Sequence, residues 1–310
     1  MPKFSVVISV YNKGDFIQKT LQSVLTQSVQ DYEIIVVNDA STDHSETEIL
    51  AIPQEKITYH AFQENKGAAA TRNKGLELAS GEYIALLDGD DLWDTNYLAE
   101  IETLIKNFPD HHIFATAITI EEHDGKRPSQ YSFSNPENKE QLSLNYFESS
   151  YKNTLLTSSS TVIKKTVFDT VGTYNVSIKS GQDTDLWIRI GMRYPIAFST
   201  KFCALYTYAP VSLYKSIGSV KHRPNFIAYE DAEKENKALK KFLDLNRFSL
   251  AIRAKLWNES KEAQFFIDRI DPTSLSSKQV KLLHAPAFLI KLLFGIKRIL
   301  EKLGIRLGVY

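Results

Sequence analysis

The first hundred residues alternate between two periods. Short apolar runs, FSVVISV, YEIIVVN, ITYHAF and EYIALLD, are each followed by a stretch of helical character: DFIQKTLQSVLTQ, a short polar helix from about Thr42, a helix from about Gly67 to Ala79, and NYLAEIETLIKNF. Near-continuous apolar strands need cover on both faces, and strands interleaved with helices form βαβ units. The pattern therefore predicts an α/β fold with a mostly parallel central sheet flanked by helices. Ligands of such sheets bind at the carboxyl ends of the strands. The polar clusters fall there: Tyr11-Asn12 after the first strand, Asn38-Asp39 after the second and Asp88-Gly89-Asp90-Asp91 after the fourth.

From about Glu121 to Lys152 the pattern gives way to turn-formers and charge, which reads as a surface excursion. Beyond it TLLTSSSTVIKK reads as a strand, TVFDTVGTY as a short helix and turn, DTDLWIRIGMRY as a helix, and PIAFSTKFCALYTYA as a pair of strands. After about Pro224 the chain is helical and highly charged.

Composition narrows the partners. Lys plus Arg and Asp plus Glu number 37 each, so no global field draws the protein to nucleic acid. The single cysteine, Cys203, excludes an intrachain disulfide and reads as a buried, inert thiol of a protein kept in a reducing compartment, hence a cytoplasmic one. The first apolar run is too short and too β-branched for a signal peptide.

In LLDGDDLWD, three carboxylates occupy four consecutive positions at a strand end. Alternate side chains of an extended segment share a face, so Asp88 and Asp90 converge while Asp91 points elsewhere. Two such carboxylates are half of a hard-cation site, and Mg²⁺ takes one or two carboxylates together with phosphate oxygens and water. Asp94 reads simply as a helix cap.

With SVVISVYNKGDFIQKTLQSVLTQ, YEIIVVNDASTD, ENKGAAATRNKGLELASGEYIALLDGDDLW and GQDTDLWIRI in this order and spacing, the chain resembles the inverting, family-2 glycosyltransferases of GT-A fold, over roughly residues 3 to 220. The resemblance implies a metal-dependent enzyme that moves a sugar from a nucleotide-sugar, a UDP-sugar, to a hydroxyl of a glycan or lipid-linked glycan in polysaccharide or glycoconjugate synthesis. By the same resemblance, Asp39 accepts the base ring N–H of the nucleotide, with Tyr11 and Asn12 at the edge of that pocket. Asp88 touches the ribose or the metal, Asp90 ligates Mg²⁺ or Mn²⁺, and Arg72 sits near the nucleotide and its phosphates. The general base is Asp183, from the Glu-Asp pair of the family, whose Glu is here Gln182. Asn38 likewise stands where the family usually has a second Asp, and Ala40 where Gly is common. His222, in SVKHRP, is a candidate metal or phosphate contact, with a solvated basic turn as the alternative. Trp187 reads as core. The implied organisation is a nucleotide-sugar-binding half over residues 1–120, an acceptor-binding half over 121–225 and a helical extension over 226–310.

Two other classes compete. A sugar-nucleotide nucleotidyltransferase shares a similar fold, but the one glycine of YNKGDF makes no triphosphate cradle; a non-catalytic nucleotide- or glycan-binding module is favoured only by Gln182 and Asn38. The extension ends in a helix from about Ala287 to Arg306 with Leu289, Leu292, Leu293, Ile296, Ile299, Leu300 and Leu303 on one arc and Lys291, Lys297, Arg298, Lys302 and Arg306 on the other. Its basic residues interrupt the apolar run too often for a membrane span. It is expected to lie peripherally on the inner face of the cytoplasmic membrane, the alternatives being docking on its own domain or a homodimer contact. A chain cut near Asp271 is expected to stay soluble.

Overall fold

The structure, a computed structural model, describes residues 1–53, 55–208 and 218–302, with only the backbone described beyond Ile296. The chain divides into two compact units, Met1–Ser212 and Leu213–Tyr310.

The first unit is built on strands β1 (Phe4–Val10), β2 (Tyr32–Asn38), β3 (Ile57–Ala61), β4 (Tyr83–Asp88), β5 (Leu92–Trp93), β6 (Ile113–Glu122), β7 (Gly125–Pro128), β8 (Gln141–Leu144), β9 (Thr161–Lys164) and β10 (Ile196–Tyr206). They form one sheet in the order β3-β2-β1-β4-β9-β6-β10-β5, with β7 on β6 and β8 on β10. Pairing is parallel from β3 through β4 and between β6 and β10, and antiparallel elsewhere. Among the described residues, seven helices accompany it: α1 (Gly14–Leu25), α2 (Ser45–Leu50), α3 (Ala68–Leu78), α4 (Tyr97–Asn107), α5 (Tyr146–Ser149), α6 (Val167–Val171) and α7 (Gln182–Gly191). The expected α/β class, a central sheet flanked by helices, is the one observed.

The parallel half follows from its residues. Phe4, Val6, Val7, Ile8 and Val10 are all buried, so β1 is covered on both faces, as its unbroken apolar run requires. On α1, Ile17, Leu21 and Val24 recur at helical spacing and are fully buried. Close approach of α3 to the sheet depends on Gly75, where a Cβ would meet Val7 Cγ1 at 2.2 Å. In register, Val10 stands opposite Asn38 and Ser9 opposite Asp88. The Asp39 N–H donates to Val10 O (2.8 Å) and the Gly89 N–H to Ser9 O (3.2 Å), which joins three strand ends in one rim.

Three local readings are corrected. The excursion after Glu121 contains β7, β8 and α5: β7 closes a hairpin on β6, and Tyr146 and Phe147 are buried anchors among the turn-formers. TLLTSSSTVIKK is a 3₁₀ turn at Ser158–Ser160 followed by a strand of only four residues, because the serines are spent on side-chain hydrogen bonds. PIAFSTKFCALYTYA is one strand with irregularities at Ser199–Phe202 and Phe202–Ala204. A bulge shifts the alternation of side chains, which imitates two strands. Cys203 is buried in it, and burial with the nearby Glu100 and Asp94 pushes its thiol up to about 12.

The second unit is helical, with Lys237–Leu256 the longest helix among its described residues. Asp244 and Arg247 on that helix are fully buried. Arg247 Nη1 lies 2.7 Å from Glu233 and 3.3 Å from Asp244, and Asp244 also accepts from Ser274 Oγ (2.8 Å) and the Asp271 N–H (3.2 Å). Buried charges persist only when paired in this way. The last helix, Ala287–Lys302, buries Ile290 completely, whereas Phe288, Leu292 and Ile296 are 72%, 56% and 45% exposed. Leu303 and Arg306 and the side chains of Lys297, Arg298, Ile299, Leu300 and Lys302 lie outside the described residues. Among the described residues no helix is long and apolar enough to cross a membrane.

Candidate active site

At the rim, each strand end fixes its loop through polar side chains. Asn12 and Ala40 have left-handed backbones, with φ of 51° and 54°. Asn takes that conformation at small cost, and Ala does so only against steric resistance, which is why Gly is the usual residue at a turn like that of Ala40. Asn12 Oδ1 accepts from the Thr42 N–H (2.8 Å), and Asn38 Oδ1 accepts from the Ser41 N–H (3.0 Å) while its amide donates to Tyr59 Oη (2.9 Å). Asn38 is thus a buried loop clamp. Tyr11 is 45% exposed beside it. Asp39, almost fully buried, accepts the Lys66 N–H (2.7 Å) and the Gly67 N–H (2.9 Å), one on each oxygen. Each oxygen retains a lone pair for a further donor.

The acidic loop after β4 answers what its carboxylates hold. Asp88 Oδ1 is 2.6 Å from Arg72 Nη2. Asp90 is ion-paired with the Lys13 ammonium. Asp91, 1% exposed, has different partners from both and accepts from Ser159 Oγ and from the Thr207 N–H (2.8 Å). The same Ser159 hydroxyl accepts the Asp88 N–H (3.2 Å). Gly89 lets the loop pass over β1, since a Cβ there would stand 3.0 Å from Ser9 O.

Asp183, in the first turn of α7, completes the cluster. Its Oδ1 lies 3.2 Å from Arg72 Nη1 and accepts from Ser158 Oγ (3.1 Å). Arg72 therefore bridges Asp88 and Asp183, its guanidinium 5.4 Å from the ring centre of Tyr174. It is no surface ion pair, being 6% exposed. The Nη1 atom is close to Asp183 without hydrogen-bond geometry, so a buried N–H at the centre of the site has no acceptor. Asp185 is turned to structure: it pairs with Arg189, which also donates to Val171 O and Thr173 O and so ties α7 to α6. Trp187 is core, as expected.

Burial dominates the protonation of these acids. It raises the pKa of Asp183 above the ordinary carboxylate value, with Arg72 opposing and Asp88 reinforcing the shift. It raises Asp90 likewise, opposed by Lys13, and raises Asp91 most, where the charges of Asp90 and Asp88 add to the effect. Arg72 is disfavoured as a cation by burial, but Asp183 and Asp88 more than compensate and hold it protonated. Gln182 is 3% exposed with an unpartnered Oε1. A Glu in that orientation would be a buried anion near a carboxylate cluster, so the amide is the less costly residue here.

Of the residues singled out from sequence, Arg72, Asp88, Asp90 and Asp183 come together directly, and Tyr11, Asn12 and Asp39 line the adjoining strand ends. His222 is an exposed residue of the second unit. Lys13, Ser158, Ser159, Tyr174 and Tyr206 join this site without being among those residues. Tyr206, 45% exposed, precedes Thr207, whose N–H donates to Asp91, and its phenol is pushed up chiefly by burial and further by the charges of Asp91, Asp88, Asp90 and Asp183. Lys13 directly follows Tyr11-Asn12 and was in plain view; the serines and tyrosines carry no spacing signal.

A divalent ion fits this donor set. Asp88 and Asp90 offer hard oxygens, and the orphaned Arg72 N–H can donate to a phosphate oxygen, while the Lys13 ammonium occupies Asp90 and has to give way. Among the described residues no three His, Cys, Asp or Glu side chains gather into a closed cage. Mg²⁺ does not require one when a diphosphate supplies the remaining oxygens.

Fold and rim define the class as GT-A-type glycosyltransferase architecture. The chain belongs to Glycosyl transferase family 2, whose sequence profile matches residues 5–172. It is 32% identical over 191 residues to an uncharacterized glycosyltransferase of Rickettsia typhi, covering 61% of this chain and 58% of that one. It is 42% identical over 99 residues to the putative teichuronic acid biosynthesis glycosyltransferase TuaG of Bacillus subtilis, covering 31% and 39%. The chain thus spans less than two thirds of these curated relatives. Among solved structures, S. aureus TarS superposes with a TM-score of 0.68 at 20% identity, covering 94% of this chain and 53% of that one. TarS 1–349 in complex with UDP superposes with a TM-score of 0.59 at 18% identity, covering 86% and 88%.

Proposed function

We propose that the protein transfers a sugar, with inversion, from a UDP-sugar to a hydroxyl of a glycan or lipid-linked glycan in polysaccharide synthesis. The observation that carries this reading is the arrangement of Asp88, Arg72 and Asp183 in one ion-paired line, with Asp90 beside it. It sets a phosphate-compatible cluster next to a carboxylate able to act as base. UDP in the TarS complex and teichuronic acid in the name of TuaG support the choice of donor and of pathway class.

In this reading Tyr11, Asn12 and Asp39 receive the base, and the free lone pairs of Asp39 take its ring N–H. Asp90 and Asp88 hold Mg²⁺ or Mn²⁺, which when bound neutralises the charge that develops on the departing diphosphate. Asp183 takes the proton of the acceptor hydroxyl as its oxygen bonds to the anomeric carbon and the bond to the diphosphate breaks. Arg72 keeps Asp183 and Asp88 compatible as neighbouring anions and turns its unpartnered N–H to a phosphate oxygen. Ser158 fixes the Asp183 carboxylate.

The exposed Phe288, Leu292 and Ile296, with the basic residues that follow them in sequence, support a peripheral contact of the last helix with an anionic membrane. The test of the whole reading is a panel of nucleotide sugars assayed for Mg²⁺- or Mn²⁺-dependent hydrolysis and for thermal stabilisation, since a bound nucleotide raises apparent stability by mass action. Stabilisation and hydrolysis with one donor are expected. A nucleotide triphosphate and sugar phosphate joined to a nucleotide-sugar would instead indicate a nucleotidyltransferase.

A further inference from the structure

The carboxylate assigned to the metal is already engaged. Lys13 reaches Asp90 from the neighbouring strand end, and the two side chains are only 18% and 15% accessible. The backbone that carries the lysine is held on both sides: the Lys13 N–H donates to Ser45 Oγ (2.7 Å), and its carbonyl accepts the Phe16 and Ile17 N–H groups at the start of α1. Only the side chain is free to move, and four methylenes give it reach. Arg72 is shared between Asp88 and Asp183, so the charge of Asp90 is answered by Lys13. A divalent cation entering alone would place its two charges beside a lysine ammonium and a guanidinium, and would strip Asp90 of its partner. A diphosphate entering with it reverses the balance, because it supplies anionic oxygens to which the displaced ammonium can turn.

We propose that Lys13 is the resident counter-ion of Asp90 and makes divalent-metal binding conditional on the nucleoside diphosphate, the ammonium passing from Asp90 to a phosphate oxygen when the two arrive. This rests on the assignment of Asp90 to a metal–diphosphate site. Lys13 is then a positioning residue that couples two ligands, and its loss should move their affinities in opposite directions.

The probes are Mn²⁺ alone, UDP alone and both, titrated into the full chain by calorimetry and by the electron-paramagnetic-resonance signal of free Mn²⁺. For the wild type, Mn²⁺ is expected to bind at least tenfold more tightly with UDP than without. In Lys13→Gln, Mn²⁺ alone should bind about tenfold more tightly than to the wild type, and UDP in saturating Mn²⁺ about tenfold more weakly. Lys13→Arg keeps the charge and should remain weak for Mn²⁺ alone. If the wild type takes Mn²⁺ equally with and without UDP, the coupling does not exist and the proposal is overturned, even should Lys13→Gln not fold. If coupling is present but Lys13→Gln binds Mn²⁺ alone no better than the wild type, Lys13 is a structural ion pair only. A wild type that takes Mn²⁺ under no condition instead removes the metal assignment beneath it.

Discussion

Asp183, partly buried, and Asp91, fully buried, are both acids with raised pKa, yet burial does different things to them. Asp183 keeps 31% of its side chain open to solvent, so it can meet a substrate proton. A base works only when ionised; transfer should therefore rise with pH through a pKa above the ordinary carboxylate range, and Asp183→Asn should abolish that limb. We expect Asp183→Asn to bind donor normally while kcat falls by about 10²-fold or more, the scale of a lost general base. Near wild-type turnover in that variant, together with a loss in Asp185→Asn, would move the base to the neighbouring acid. Asp91 has no such opening. Burial, with the charges of Asp90 and Asp88, raises its pKa in the folded state well above that of the unfolded chain. Its contribution to stability is full below the ordinary Asp value and declines as pH rises through the raised folded pKa. Asp91→Asn, which retains an acceptor for the Thr207 N–H, should flatten the fall of Tm from acid to neutral pH. An unchanged or steeper fall would contradict the raised pKa.

At the scale of elements, the rim depends on α3 lying close to β1. A Cβ at position 75 would need the space of Val7 Cγ1, and overpacking of this kind costs about 1–3 kcal/mol. Gly75→Ala should lower the denaturant midpoint accordingly and, because Arg72 is on the same helix, weaken nucleotide binding as well; a variant as stable as the wild type would show that α3 yields without cost. The parallel half of the sheet was legible because period and burial agree there: FSVVISV and YEIIVVN can be satisfied only as strands covered on both faces. The other half was not. In β10 the bulges break the alternation, and in Ser158–Ser160 the hydroxyls that shape the turn bond to Asp91 and Asp183, residues far away in sequence. The site was legible to the same extent: its acids stand at strand ends, but the pairing of Lys13 with Asp90 is a tertiary fact that spacing does not encode.

For the whole molecule, the cut near Asp271 that sequence suggested runs through a packed unit. The Asp271 N–H donates to the buried Asp244, and Leu282 and Leu283 beyond it are buried, so a chain ending there loses core. The last helix is better probed in place. Leu292 and Ile296 are exposed, so Leu292→Glu with Ile296→Glu should leave the fold intact and reduce cosedimentation with anionic vesicles several-fold; the wild type should bind less at high salt, where headgroup attraction is screened within ~8–10 Å. Equal binding by both proteins would assign the exposed face to something other than a membrane. The central claim is that the loop after β4 presents a metal to a nucleoside diphosphate, and calorimetry of UDP binding with and without Mn²⁺, on the wild type and on Asp90→Ala, tests it most directly. The account predicts Mn²⁺-dependent binding in the wild type and its near-complete loss in Asp90→Ala at unchanged Tm. Unchanged Mn²⁺-dependent UDP binding in Asp90→Ala would contradict it.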